Sequence, residues 1–534
     1  MKSYLQSLSN RSLAVIALIL CFPAFLLNLG KMAFIGDEGI RTLVAFEMKL
    51  SGDFIVPTLS GEQYFNKPPL YNWFIYLFSE GFGTYGEWPT RMTTLVFLTL
   101  FAVTIFYFSK KYFDRLTAYT MAMLLLTSGR ILFWDSMLGL IDICFSWIIY
   151  VNFMILYSMA KSERWRAMFI FSYLLFSVAF LLKGLPAVVF QGISVITALV
   201  LHGQWKRRFF SWDHWIGAAI GVLPVIAYYA VFAANVDLRH VFEVLLDQSM
   251  QRTGTRHGIA KTLLHVLTFP PEQVYHFLPW SLLLGILFHP RWRAWMNANE
   301  FIRFNFWMLL ANVPVYWLSV QVYPRYLLMF IPLFNMVGYF LLQESRRDNG
   351  RWWKGMHGVL ASMTILATLA SLVLPWIPGA GQVPGIWWIW PVSAVLMGFC
   401  LAGMMFDQNR MFIWMVIGLL GARIVFDLVV LPSRASTARS NVIRDDCQRV
   451  ADIYKDNTWY LYKETYPHQV ARCYLSVYTD QIIGYSDHVE DPQAIYLVDR
   501  KLYADFPGIL VDSVKIEMNG SLALMQAASP AKQE

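Results

Sequence analysis

The sequence predicts a polytopic α-helical membrane protein, on three observations. First, 57% of its 534 residues are hydrophobic and only 15% charged, with a positive mean hydropathy, which excludes an ordinary soluble globule. Second, mostly apolar runs of about 18 to 22 residues recur, each long enough to cross a ~30 Å hydrocarbon core at about 1.5 Å per residue. Third, Lys and Arg collect in every second connector between these runs, as orientation signals do. Lipid cannot satisfy open backbone N–H and C=O groups, and the runs lack the alternation of barrel strands, so the spans are helices.

In chain order the runs fall near 12–30, 91–108, 116–131, 138–159, 167–182, 185–201, 213–233, 275–289, 303–319, 325–343, 356–376, 385–405 and 411–430, which makes about 13 transmembrane helices. The N-terminus has a basic start and a long apolar run without a small-residue cleavage site, so 12–30 reads as a retained first span and not a signal peptide. With Lys2 and Arg11 cytoplasmic, the basic connectors all fall on that side: Lys110, Lys111 and Arg115; Lys161, Arg164 and Arg166; Lys206 to Arg208; Arg291 and Arg293; Arg346, Arg347, Arg351 and Lys354; Arg410. The expected orientation is a cytoplasmic N-terminus. The net charge of +8 is accounted for by these clusters, so nucleic acid is not an expected partner.

Three extracytoplasmic pieces are long: 31–90, 234–274 and everything after about 431. In the first, Ile40, Leu43, Val44 and Met48 follow helical spacing after Asp37, with a stop at Ser51-Gly52. A second helix is expected over 69–79, and such amphipathic helices can lie in the outer interface. From Asn441 the composition turns polar, and the runs 459–462, 473–478, 494–498 and 521–526 read as strands of a small α/β domain. The expected division is a membrane domain, 1–431, and an extracytoplasmic domain, 432–534. Of five cysteines, only Cys447 and Cys473, both in that polar segment, form a disulfide candidate.

Charged residues at the outer ends of spans are the candidates for chemistry. Asp37 and Glu38 lie just beyond the first span, where a lipid headgroup can reach them; capping of the following helix is the plain alternative. Lys67 precedes Pro68-Pro69 and so projects beside a helix N-terminus, an arrangement that suits a phosphate, though a lysine snorkelling to the interface has the same pattern. Asp142 lies about one turn inside the fourth span, where an ionisable group defaults to function unless it is paired with a neighbouring basic residue. Lys183, in a tight outer turn, Arg325 in VYPRYLL and Arg91 at the start of the second span place positive charge against the topology signal. They suit an anionic headgroup, or anchoring to ordinary lipid phosphate. In the long loop Arg252, Arg256, His257 and His265 are weaker candidates, His265 for a metal.

The DE pair, the stretch FEMKLSGDFIVPTLSGEQYFNKPPLYNW, the in-span Asp142, the LLKGLP turn and YPRYLL together resemble the GT-C glycosyltransferases of the lipid A aminoarabinose transferase and protein O-mannosyltransferase group. The resemblance covers the membrane portion up to about residue 345 and, in architecture, the later spans and outer C-terminal domain. It implies transfer of a sugar from a polyprenyl-phosphate donor to a lipid or protein acceptor at the outer face of the cytoplasmic membrane. By position, Asp37 and Asp142 then look like the catalytic acids, with Glu38 beside them, and Lys67 and Arg325 like donor-phosphate contacts, with Arg91, Lys183 and Tyr326 as further ones. Two departures stand out. Asn66 occupies the place before the KP lysine where members commonly have an acid, which puts a divalent metal in doubt. Ile40 stands where the aminoarabinose branch commonly has Arg, and Arg41 comes next.

Chemically, a sugar on a polyprenyl phosphate already carries a good leaving group, so the site must stabilise released phosphate, a task for outer cations. An acceptor hydroxyl needs a carboxylate base, for which Asp37 is the choice, with inversion at the sugar carbon. A transporter or flippase of a lipid-linked sugar is the rival, but it expects ionisable groups near mid-membrane and inverted halves, whereas the charges here gather at the outer interface and no repeat is visible. The sugar, the acceptor and the oligomeric state stay open at this level.

Overall fold

The computed structural model describes residues 2–250, 258–518 and 520–527, so Arg252, Arg256 and His257 lie outside the described residues. Among these, eight helices are long and apolar enough to cross a membrane: Glu87–Ser109, Ile141–Lys161, Trp165–Lys183, Trp212–Phe232, Pro324–Asp348, Arg351–Leu372, Ile386–Phe406 and Gln408–Thr437. A ninth is made if Arg115–Leu126 and Gly129–Met137, bent by 51°, count as one span. The bend has a local cause: Gly129 N–H donates to Leu278 O at 2.8 Å, and a Cβ on Gly129 would sit 2.8 Å from that same oxygen. The chain thus breaks where it meets another backbone, at a glycine that lets it approach.

Among the described residues the full count of 13 is not confirmed, and each shortfall has a physical reason. Asn10–Leu26 and Pro186–Leu201 are apolar but shorter than the long spans. The expected span 275–289 is the end of helix Ile259–His276 followed by a 3₁₀ stretch, Trp280–Phe288, tied down by Trp280 Nε1 donating to Thr127 Oγ1 at 3.0 Å. The expected span 303–319 is the helix Glu300–Asn312 and a short turn from Pro314 to Trp317. Apolar run length measures burial as well as membrane crossing, and here the two diverge.

The first long loop, 31–90, folds as two helices with a hairpin between them. Helix Asp37–Ser51 stops where Gly52 turns left-handed (φ 71°) and caps Met48 O, the stop expected from Ser51-Gly52. Strands β1 (Thr58–Leu59) and β2 (Glu62–Gln63) follow, joined by Ser60-Gly61, both at positive φ as a two-residue primed turn requires. The second helix, Leu70–Phe82, begins after Pro69.

Beyond Thr437 the chain forms helices Arg439–Tyr454 and Gln469–Thr479 and a five-stranded sheet: β3 (Trp459–Tyr462), β4 (Gly484–Ser486), β5 (Ile495–Val498), β6 (Gly508–Lys515) and β7 (Ser521–Ala527), in spatial order β4-β3-β5-β7-β6. β3 runs parallel to β4 and β5, while β7 is antiparallel to β5 and β6. Residues 473–478, expected as a strand, are helical. Val470, Ala471, Tyr474 and Leu475 are all buried on this helix, which packs on both Arg439–Tyr454 and Asp37–Ser51; a short apolar run satisfies either period until its neighbours are known. Cys447 and Cys473 are buried free thiols, not a disulfide.

Candidate active site

The helix Asp37–Ser51 carries its charges on different faces, and each face meets a different fate. Glu47 is fully buried and accepts from Thr58 Oγ1 (2.7 Å) and from the backbone N–H groups of Ser60 (2.6 Å) and Gly61 (3.2 Å), which pins the hairpin to the helix. Burial pushes its carboxyl up from the ordinary glutamate range, and these hydrogen bonds pull the other way. Arg41 Nη2 donates to Tyr64 Oη at 2.8 Å across the same junction. The helix–hairpin unit thereby sets where Tyr64, Asn66 and Lys67 stand.

Glu38 and Arg91 do not face the open side of this unit. They form a bidentate pair, Nε to Oε1 and Nη2 to Oε2 both at 3.0 Å, with Arg91 1% exposed and Glu38 not at all. Arg91 also donates to the carbonyls of Leu29, Met32 and Ala33, and Glu38 accepts from the N–H of Ile35 and Gly139. Sequence placed Glu38 among the catalytic acids and Arg91 among phosphate contacts. The geometry corrects both to a buried clamp, since every donor of Arg91 is already used.

Asp37, one residue earlier, is half-exposed and reaches Arg325, whose Nη2 donates to Oδ2 at 3.3 Å. Arg325 Nε lies 3.1 Å from Asp142 Oδ2, close enough for an ion pair though not aligned for a hydrogen bond. Asp142 is buried and also takes Lys183 Nζ at 2.5 Å. The Lys183 ammonium sits 3.9 Å from the centroid of the Tyr326 ring, and the Arg325 guanidinium carbon 4.4 Å from that of Tyr323. An alternating chain, Asp37–Arg325–Asp142–Lys183, results. The turn that presents Lys183 is made by Gly184 at φ 76°.

Two cavities meet beside this chain. One, of about 600 Å³, is polar, with Asp37, Arg41, Tyr64, Asn66, Lys67 and Tyr323 in its wall. The other, of about 410 Å³, is mainly apolar, walled by Leu185, Pro186, Val189, Leu245, Val315 and Leu318 with Lys183 and Tyr326 at its charged end. Lys67, Gln321 and Val322 line both, so the lysine stands where the apolar and polar spaces join. An amphiphile with a charged group between a hydrocarbon tail and a polar head fits that shape.

Sequence reasoning did not single out Arg41, Tyr64, Gln321, Tyr323 or Gln469 as wall residues. One signal was readable: Asp37 and Arg41 are four apart on one helix and so share a face. Gln469 was not readable, because it comes from the C-terminal segment, at the start of helix Gln469–Thr479. That helix approaches Asp37–Ser51 so closely that a Cβ on Gly39 would fall 2.6 Å from Gln469 O and 3.1 Å from its carbonyl carbon. Gly39→Ala is therefore expected to destabilise the protein by about 1–3 kcal/mol and to loosen the C-terminal segment. A fall in the thermal midpoint, with faster proteolytic cutting near residues 432–440, checks it.

Among the described residues no side chains are grouped to hold a metal ion: no three His, Cys, Asp or Glu side chains converge, Asn66 stands beside Lys67, and His265 packs edge-on against Phe269 on helix Ile259–His276.

Residues 66–230 match the dolichyl-phosphate-mannose-protein mannosyltransferase family. The undecaprenyl phosphate-alpha-4-amino-4-deoxy-L-arabinose arabinosyl transferase of Edwardsiella ictaluri (strain 93-146) is 23% identical over 359 residues, 65% of this chain and 62% of that protein. A second transferase of the same name, from Sodalis glossinidius (strain morsitans), is 24% identical over 366 residues, with the same coverage. The chain thus spans about three-fifths of the length of the curated relatives it matches. Among solved structures, ArnT from Cupriavidus metallidurans bound to undecaprenyl phosphate superposes with a TM-score of 0.71 at 18% identity, over 96% of this chain and 98% of that one. The apo structure of the same protein gives 0.65 at 17% identity, over 97% and 98%.

Proposed function

We propose that this chain, a GT-C protein of the aminoarabinose-transferase and PMT-like group, transfers a sugar from a polyprenyl-phosphate donor to a lipid or protein acceptor at the outer face of the cytoplasmic membrane. The observation that carries the reading is the pair of joined cavities with Lys67 at their junction. In it the polyprenyl chain enters the apolar space, its phosphate lies at Lys67, and the sugar occupies the polar space beside Asp37. Undecaprenyl phosphate, bound in the solved ArnT structure, is a ligand of this chemical kind.

The reaction follows from these positions. The acceptor oxygen attacks the sugar's anomeric carbon from the Asp37 side, the bond from that carbon to the phosphate oxygen breaks, and polyprenyl phosphate leaves with its electron pair. Asp37 takes the acceptor proton, and the configuration inverts. Lys67 balances charge growing on the leaving phosphate. Asp142 holds Arg325 and Lys183 in place and in charge balance, a positioning role for a buried acid ringed by two cations. Within the same reading, residues 1–431 are the membrane catalytic domain and 432–534 an extracytoplasmic domain, with the N-terminus cytoplasmic. The helical run that holds residue 431 continues to Thr437.

The test is purified full-length protein in lipid nanodiscs with a polyprenyl-phosphate sugar and envelope lipids or proteins as acceptor. Release of polyprenyl phosphate with labelled sugar on an acceptor is expected. In proteoliposomes, movement of the intact donor across the bilayer without release would mark the transporter and overturn the reading. Lys67→Ala is expected to raise the half-saturating donor concentration about 10- to 100-fold, the range of a lost hydrogen bond to a charged group.

A further inference from the structure

Among the described residues, one wall residue of the polar cavity comes from beyond residue 431, and it is Gln469. Its backbone is fixed from several sides. The stretch that leads into Asp37 is bonded to the C-terminal segment: Asn441 Oδ1 accepts from Ala33 N–H at 2.9 Å and its Nδ2 donates to Lys31 O at 3.0 Å, while Tyr474 Oη accepts from Phe34 N–H at 2.8 Å. Tyr474 also donates to Glu87 Oε1 at 2.6 Å and stacks on Phe34 with ring centroids 5.3 Å apart. At the start of the same helix, Val470 N–H donates to Glu517 Oε1 at 2.7 Å, and Gln469 O lies so close to Gly39 that no side chain fits there. The Gln469 side chain stands apart from this network. It is partly exposed in the cavity wall, and its carboxamide makes no hydrogen bond among the described residues. A polar group on a fixed backbone, open to a cavity, is preorganised for a hydrogen-bonding ligand.

We propose that Gln469 reads the transferred sugar, its carboxamide donating to one ring hydroxyl and accepting from another, so that the C-terminal segment sets sugar specificity. The inference rests on the transferase reading, which puts the sugar in this cavity, and deepens it. The charged groups of the wall have other tasks: Asp37 meets Arg325, Arg41 meets Tyr64, and Lys67 is assigned the donor phosphate. A neutral amide offers N–H donors and a carbonyl acceptor in one plane, and a hydroxyl is both donor and acceptor. A phosphate or carboxylate has only acceptors and would leave the amide oxygen facing negative charge. A sugar that lacks a hydroxyl at the matching place would leave the amide unpaired, which is how a hydrogen-bonding site rejects an analogue.

The experiment uses the full chain in nanodiscs without acceptor, and reads binding from the ligand-dependent shift of the thermal midpoint. The probes are undecaprenyl phosphate and undecaprenyl phosphates bearing arabinose, 4-amino-4-deoxyarabinose, mannose or glucose. Wild type is expected to hold one sugar-bearing donor more tightly than undecaprenyl phosphate and to rank the sugars. Gln469→Met keeps the length and helix propensity of the side chain but has no amide. It is expected to weaken the preferred donor about 3- to 10-fold, the worth of one or two neutral hydrogen bonds, and to leave undecaprenyl phosphate within about twofold. The ranking of sugars should flatten, and the ligand-free midpoint should not move. Lys67→Ala, by contrast, should weaken donors with and without sugar alike. Gln469→Ala, with the same expectation, is the second variant should Gln469→Met misfold. Equal weakening of undecaprenyl phosphate, a lowered ligand-free midpoint, or failure of both variants to fold marks a structural role and overturns the inference. So does unchanged donor binding with a raised half-saturating acceptor concentration in the transfer assay, which assigns Gln469 to the acceptor. A wild type that binds no sugar-bearing donor more tightly than undecaprenyl phosphate overturns it as well. If undecaprenyl phosphate and all the sugar-bearing donors fail to bind wild type, the transferase reading fails instead.

Discussion

Asp37→Asn should reduce sugar transfer by about 10²- to 10⁴-fold, the range that a positioned general base contributes. The amide keeps the size of the side chain and can still accept a hydrogen bond from Arg325, so the local geometry survives, but it cannot take a proton. This makes Asn a sharper probe than Ala: both remove the negative charge beside Arg325, but Ala also removes the oxygen that accepts its hydrogen bond. The half-saturating donor concentration should change little, because the donor phosphate is assigned to Lys67. Single-turnover release of polyprenyl phosphate, with enzyme in excess over donor and acceptor saturating, is the measurement. A rate equal to wild type would remove Asp37 from the chemistry and leave it as an anchor for Arg325. Partial loss with a phosphate-bearing acceptor but full loss with a hydroxyl-bearing one would identify the acceptor class, since a phosphate is nucleophilic without a base.

The charges that the fold gathers at the candidate site are marked in the sequence because the chain breaks its own topology rule there. Lys67, Lys183 and Arg325 are cations on the side where the connectors otherwise lack them, and Asp142 is an acid inside a span. The fold brings Arg325 between Asp37 and Asp142, and Lys183 onto Asp142. The same signature misled at Arg91 and Glu38, which look in sequence like the other outer charges. What separates them is burial by partners far along the chain, such as Gly139 N–H on Glu38, and that follows from packing alone. Local period failed where runs were short. Residues 473–478 suit either strand or helix, and 280–288 are apolar enough to span but are held in 3₁₀ form against Thr127. Arg41 was the nearest miss, since its spacing from Asp37 was visible but its place in the cavity wall against Tyr64 was not.

Glu38→Gln is expected to cost about 3–5 kcal/mol of stability, as breaking one side of a buried ion pair does. The carboxylate neutralises Arg91 in a space closed to water and also receives Gly139 and Ile35, so one residue ties the first-loop helix to the second span and to the approach to helix Ile141–Lys161. Arg91→Met should cost as much, because it strips Glu38 of its counter-charge and orphans the carbonyls of Leu29, Met32 and Ala33. The double variant should be far less damaged than the sum of the two, since neither charge is then left alone, and the coupling from such a cycle is the decisive number. Gly139 adds an independent check: a Cβ there would strike Thr90, 2.2 Å from its Cγ2 and 3.0 Å from its carbonyl oxygen, so Gly139→Ala should unseat the same clamp from the opposite side. For Glu38→Gln the transfer rate per folded molecule should stay within a few-fold of wild type while the yield of folded protein and its thermal midpoint fall. A large drop in that per-molecule rate with stability intact would return Glu38 to the reaction itself. The neighbours Asp37 and Glu38 thus divide the work of one helix turn, the first facing the cavity and the second holding the turn in place.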